Sequence, residues 1–215
     1  MAYENILRLP DPNSATVGPG WNSQSLADSV PGMVHALNGP QVITVQNGGQ
    51  FWIIKIGYPE LTEAEFQPLE RFLYDIQGAF NPFYVQLPNL IEPATGAWTL
   101  STDAQKGLGN ITVDSAKKIT IANAAGLGGS FTNGDALKLS NSNKIYRIID
   151  ATPVSTNLEV TFNCDLQSPG TIDILTELEP NDVRFRVKLQ GNPPEISLNV
   201  SSLITGISLN MREAI

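Results

Sequence analysis

The chain holds one histidine, His35, in PGMVHALNG, and one cysteine, Cys164, in VTFNCDL, and these two residues bound the chemistry it can carry. A zinc site of the HExxH type needs two histidines, and a Cys/His cluster needs three or four ligands, so neither can be assembled. A Ser-His-Asp or Cys-His site would have to run through His35, and no nucleophile elbow stands anywhere in the sequence. Ser115-Ala-Lys-Lys118 matches the loose S-x-x-K pattern of acyl transferases without its companion motifs, and reads as a turn between two strands. Gly126-Leu-Gly128-Gly129 has neither of the phosphate-loop spacings and no βαβ unit around it, so it reads as a flexible turn. Two carboxylates could serve glycoside hydrolysis, but Glu177 and Glu179 alternate along a strand end. Glu63, Glu65 and Glu70 suit the first turn and solvated face of a helix. No calcium-loop pattern occurs. The expectation is no catalytic residue, no cofactor and no metal: not an enzyme.

One charge pattern has order. Arg184, Arg186 and Lys188 alternate with Val183, Phe185, Val187 and Leu189 in VRFRVKL, so a strand would carry three cations on one face. Such a stripe can meet an acidic patch of a neighbouring subunit. The plainer reading is a solvated sheet face that resists edge pairing.

The charge balance limits the partners. The net charge is −8, and charged residues make up 16% of 215, against about 25% in an average domain. Tight nucleic-acid binding needs clustered Lys and Arg and is not expected, although an acidic wall facing DNA without gripping it is compatible. No apolar run is long enough for a membrane helix, and MAYENILRLPDP lacks a signal-peptide pattern. A soluble chain without a cleaved leader is therefore expected. Cys164 can form no internal disulfide and reads as a small hydrophobe in a strand.

The elements that must position these residues are mostly strands. Residues 1–40, rich in Gly, Pro, Ser and Asn, read as an extended N-terminal arm anchored by Trp21, Leu26, Val30, Met33 and Leu37. QVITVQNGGQFWIIKI predicts two strands about a turn at Asn47-Gly48-Gly49. Trp52, Ile54 and Ile56 share one face; Phe51 and Ile53 make the other apolar until Lys55 emerges. A helix follows: Thr62 and Glu65 make a capping box, Phe66, Leu69, Leu73 and Ile76 recur at helical spacing, and Gly78 ends it. Pro68 opposes it by about 3 kcal/mol, less than the return from burying four large apolar side chains at roughly 1.5 to 3 kcal/mol each. FYVQL then forms a strand.

From 96 to 180, short strands recur every 8 to 12 residues, which predicts a small β-barrel or sandwich. After Pro180 long strands return. The chain is thus read as mainly β: a β-sandwich or split-barrel body from 41–95 and 181–215 with one covering helix, interrupted by an inserted domain over 96–180.

Trp52-Ile-Ile-Lys-Ile56, Leu61-Thr-Glu-Ala-Glu65, Leu69-Glu-Arg-Phe-Leu73, Gly78 and Asn81-Pro-Phe83 follow one another in an order that resembles the distal tail proteins and related baseplate-hub components of tailed bacteriophages. Asn133-Gly-Asp-Ala-Leu137, Lys144-Ile-Tyr-Arg-Ile-Ile149 and Leu158-Glu-Val160 echo the family's central domain, and MREAI its closing E-A. Pro68 stands where the family has a helix former, and residues 1–40 lie outside the resemblance. The resemblance implies a non-enzymatic virion protein: a ring-forming, hexameric subunit linking the tail-tube protein to hub or fibre proteins, with DNA passing through its centre. It implies assembly in the host cytoplasm and residence in the virion tail. The alternative is a carbohydrate-binding β-sandwich for host adsorption, with Trp98 and Tyr146 as stacking rings, although both fit core positions equally well.

Overall fold

The computed structural model describes residues 7–12, 17–36, 42–46, 49–87, 111–122, 133–139, 142–167, 178–179 and 184–215. The fold is mainly β, built from antiparallel sheets, with one helix among the described residues. In chain order the elements are β1 (Ser23–Ser29), β2 (Gly32–Ala36), β3 (Val42–Gln46), β4 (Phe51–Gly57), α1 (Glu63–Asp75) and β5 (Phe83–Val85). Next come β6 (Ile111–Ser115), β7 (Lys118–Ile121), β8 (Ala136–Leu139), β9 (Ile145–Val154), β10 (Asn157–Phe162) and β11 (Leu178–Glu179). The chain closes with β12 (Phe185–Leu189), β13 (Ser197–Leu198), β14 (Ile204–Thr205) and β15 (Ser208–Glu213). Two compact units result, one of Asn5–Tyr84 with Val187–Ala214 and one mainly of Val85–Arg186.

The first unit is built on a five-stranded sheet in the order β1-β4-β15-β12-β5. Alternation in FWIIKIG, SLNMRE and FRVKL gives it two unlike faces. Trp52, Ile54, Ile56, Leu209, Met211, Val187 and Leu189 are buried on one face, and α1 reaches the sheet where Phe72 meets Phe83 of β5. Phe51 and Ile53, on the other, are only half-buried. Glu213 is buried on the first face because its carboxylate accepts the Trp52 backbone N–H at 3.2 Å, tying the last strand to β4. At the β5 edge, Tyr84 N–H donates to the Leu7 carbonyl at 2.8 Å and Leu9 N–H to the Tyr84 carbonyl at 2.9 Å, so residues 7–9 cover it. Among the described residues, nothing pairs with the outer edge of β1.

The expected hairpin about Asn47 is not formed. β4 pairs with β1 from Ser23↔Gly57 to Ser29↔Phe51, and β3 pairs with β2 from Gly32↔Gln46 to Ala36↔Val42. Pro31 stands between β1 and β2, where proline offers no N–H to a ladder. Part of the segment expected as an arm is therefore a strand of the main sheet. Its strand character was hidden because SQSLADS has little apolar alternation.

Helix α1 starts where the capping box places it. Thr62 N–H and Oγ1 donate to Glu65 Oε2 at 2.9 and 2.8 Å, while Glu65 N–H donates to Thr62 Oγ1 at 3.4 Å. Pro68 lies inside and the helix continues through it. Phe66, Leu69, Leu73 and Ile76 are buried as their spacing predicts, and Phe72 joins them, meeting Phe83 edge-on with ring centroids 5.1 Å apart. Reversal after the helix takes two left-handed residues, Gln77 (φ 53) and Gly78 (φ 67). Glycine carries that conformation at no steric cost.

The second unit holds a six-stranded sheet in the order β11-β8-β9-β10-β7-β6. Its core includes Ile119, Ile121, Leu137, Tyr146, Leu158, Val160 and Phe162, with Cys164 packed among them as the small hydrophobe expected. The Ser115–Lys118 stretch is the turn from β6 to β7, and Lys118 pairs with Glu159 across the strands.

Candidate assembly surface

Strand register decides which charged residues become neighbours on the uncovered face of the five-stranded sheet. Directly paired residues on antiparallel strands share a face. Lys188 pairs with Arg212, Arg212 with Ile53, and Ile53 with Ala27, which makes one row across four strands. The next row holds Asn210, Lys55 and Ser25, and the one beyond it Ser208, Gly57 and Ser23. Lys55, Lys188 and Arg212 are exposed. Arg212 lies with its guanidinium carbon 3.7 Å from the centroid of the Phe51 ring, a cation–π contact of about 0.5–1 kcal/mol at an exposed site. Arg186 continues the alternation of Lys188 on β12, half-buried, with Arg184 half-buried just before the strand. Both arginines engage other groups as well.

Of the predicted stripe, Arg186 and Lys188 thus lie on this face, and the fold adds two cations from other strands. Lys55 and Arg212 were separable in the sequence as outward-facing residues of FWIIKIG and SLNMRE. Their adjacency to Lys188 depends on a pairing between residues far apart in the chain, which alternation does not encode. Lys55 and Lys188 make no ion pair among the described residues.

The exposed surface of α1 has the opposite sign. Glu60, Glu63, Glu65 and Asp75 are exposed on and before α1, Glu70 is half-buried, and Arg71 stands as the helix's cation. Hydrogen bonds from the Thr62 backbone and then its side chain hold the Glu65 carboxyl below the usual carboxylate range. Tyr74, 72% exposed, donates its hydroxyl to Glu70 Oε1 at 3.5 Å. Glu63 and Glu65 complement the positive end of the helix, but Asp75 stands in the last turn, where the macrodipole disfavours an anion. Beside the helix, a groove of about 740 Å³ runs between α1 and residues Leu7, Arg8 and Pro10.

Of the two rings considered for sugar stacking, Trp98 lies outside the described residues. Tyr146 is wholly buried, packed on Phe162 with centroids 5.1 Å apart, and its oxygen accepts the Gln167 N–H at 2.9 Å. Hydrophobic packing thus occupies the ring, and it presents no face to a ligand. His35 lies in β2 opposite Ile43. Glu177 and Gly126–Gly129 fall outside the described residues. Among the described residues no group of three His, Cys, Asp or Glu side chains could hold a metal, and no helix is long and apolar enough to cross a membrane.

Residues 9–90, which span β1–β5 and α1, match the family model described as distal tail protein pb9, A domain, N-terminal. The chain is also similar to the distal tail protein pb9 of Escherichia phage T5, with 31% identity over 217 residues, covering 97% of this chain and 100% of that protein.

Proposed function

The chain belongs to the distal tail protein family, a structural component of the phage tail, and from that premise we propose that it is a ring-forming subunit joining the tail tube to the tip. In this reading six copies close a ring, the tail-tube protein binds one side, and hub or fibre proteins bind the other. The ring is assembled in the host cytoplasm and does no chemistry.

The observation that carries this reading is the uncovered sheet face. A five-stranded sheet normally buries one face and solvates the other with mixed charge. Here the solvated face collects Lys55, Lys188 and Arg212 around half-buried Phe51 and Ile53, in a chain whose net charge is −8. An apolar centre with an arginine-bearing rim is the composition of a protein-docking surface. The outer edge of β1, unpaired among the described residues, adds a second means of joining copies, by strand addition. The carbohydrate-binding alternative has no comparable support: in the second unit's sheet the described aromatic rings, Tyr146 and Phe162, are both buried.

Mass photometry and negative-stain images of the purified chain, alone and mixed with the tail-tube protein, test the reading. Closed rings or ring-capped tubes are expected. A chain that stays monomeric in both conditions and has no affinity for the tube protein overturns it.

A further inference from the structure

A ring made by rotation repeats one heterologous contact, so every subunit must carry two different surfaces that fit each other. The first unit carries such a pair in its cationic sheet face and the exposed acidic face of α1. Resting on the ring reading above, we infer that the cationic sheet face of one copy seats the acidic outer face of α1 of the next copy, with Lys55, Lys188 and Arg212 opposite Glu63, Glu70 and Asp75.

Three observations converge on this occupant. The signs are complementary: the sheet face presents cations from three strands, while α1 and its lead-in present five carboxylates against Arg71. Charges arranged this way select the head-to-tail contact and penalise face-to-face and helix-to-helix pairing. Next, several of these charges form no ion pair among the described residues: Lys55, Lys188 and Asp75, which opposes the helix macrodipole from the last turn. Finally, each side offers more than charge. Phe51 under Arg212, with Ile53 beside it, supplies an apolar centre to the sheet face. Tyr74 stands exposed on the helix beside the groove walled by Leu7 and Arg8, and an exposed aromatic ring next to a concavity is the usual anchor of an interface. A chain of net charge −8 repels its copies at long range. A local cationic face lets it associate in one orientation.

Two experiments on the full chain test the pairing. In the unaltered protein, a zero-length carbodiimide cross-linker should join Lys55 or Lys188 to Glu63, Glu70 or Asp75 in oligomers and not in monomers. A link found in oligomers and missing from monomers is intermolecular. In parallel, a sheet-reversed chain (Lys55→Glu, Lys188→Glu, Arg212→Glu) and a helix-reversed chain (Glu63→Lys, Glu70→Lys, Asp75→Lys) should each assemble at least about tenfold less readily. An equimolar mixture of the two should recover assembly, because each then meets its opposite. Oligomers of the unaltered chain that carry other cross-links, together with reversed chains that assemble as before, overturn the pairing and leave the ring standing. Absence of any oligomer, with or without tail-tube protein, overturns the ring itself and the pairing with it.

Discussion

Tyr58 follows β4 and is 5% exposed, with its backbone N–H donating to the Ile207 carbonyl at 3.0 Å, yet its hydroxyl has no hydrogen-bond partner among the described residues. Burial first, and the charge of Asp11 second, push its phenol well above the ordinary range. The raised value means that the fold favours the protonated form. Its contribution to stability is therefore complete below the ordinary phenol range of about pH 10 and is lost as pH rises through and beyond it. An unbonded buried hydroxyl costs about 1–3 kcal/mol, so Tyr58→Phe should raise stability by about 1 kcal/mol at neutral pH. It should also flatten the alkaline fall in urea midpoint relative to the unaltered chain. A destabilised Tyr58→Phe would mean that the hydroxyl has a partner after all. Nothing in the sequence singled out this residue, because its environment is made by burial and by Asp11, far away in the chain and itself held by Arg8 at 3.0 Å.

At the scale of the element, α1 was the most legible part of the chain. Its cap, its buried spacing and its end all follow from local rules, because a helix makes its hydrogen bonds within itself. What local rules leave open is why it tolerates Pro68. The answer is the sheet: Phe66, Leu69, Phe72, Leu73 and Ile76 are all at most 7% exposed, and that burial exceeds the proline's cost. Pro68→Ala would return an N–H to the Ala64 carbonyl and should stabilise the chain by about 1–3 kcal/mol. Thr62→Ala removes the cap and should destabilise it by about 1 kcal/mol. Urea unfolding followed by tryptophan fluorescence measures both, and a helix indifferent to either change would not be held as described. The strands were less legible. β1 lacks alternation, and β3 and β4 pair with β2 and β1 instead of with each other.

At the scale of the whole molecule, assembly through exposed opposite charges must respond to salt. The screening length falls from about 8 Å at 0.15 M to about 3 Å at 1 M, which weakens rim contacts and spares apolar ones. Sedimentation velocity across that range should show the assembly midpoint moving to roughly tenfold higher protein concentration. A midpoint that does not move would assign the contact to apolar surface alone. The sequence by itself determined the class of this protein. Alternating strands, one capped helix and an acidic chain with one histidine and one cysteine are local or compositional facts, readable without knowing which segments meet, and the order of its motifs led to the tail-protein family. Only the tertiary structure decided that Lys55, Lys188 and Arg212 form one face, that Tyr146 is core, and that β1 belongs to the main sheet. Alternation tells a side chain which way to point, whereas its neighbours are chosen by strand register across long chain separations, and register is settled when the sheet is built.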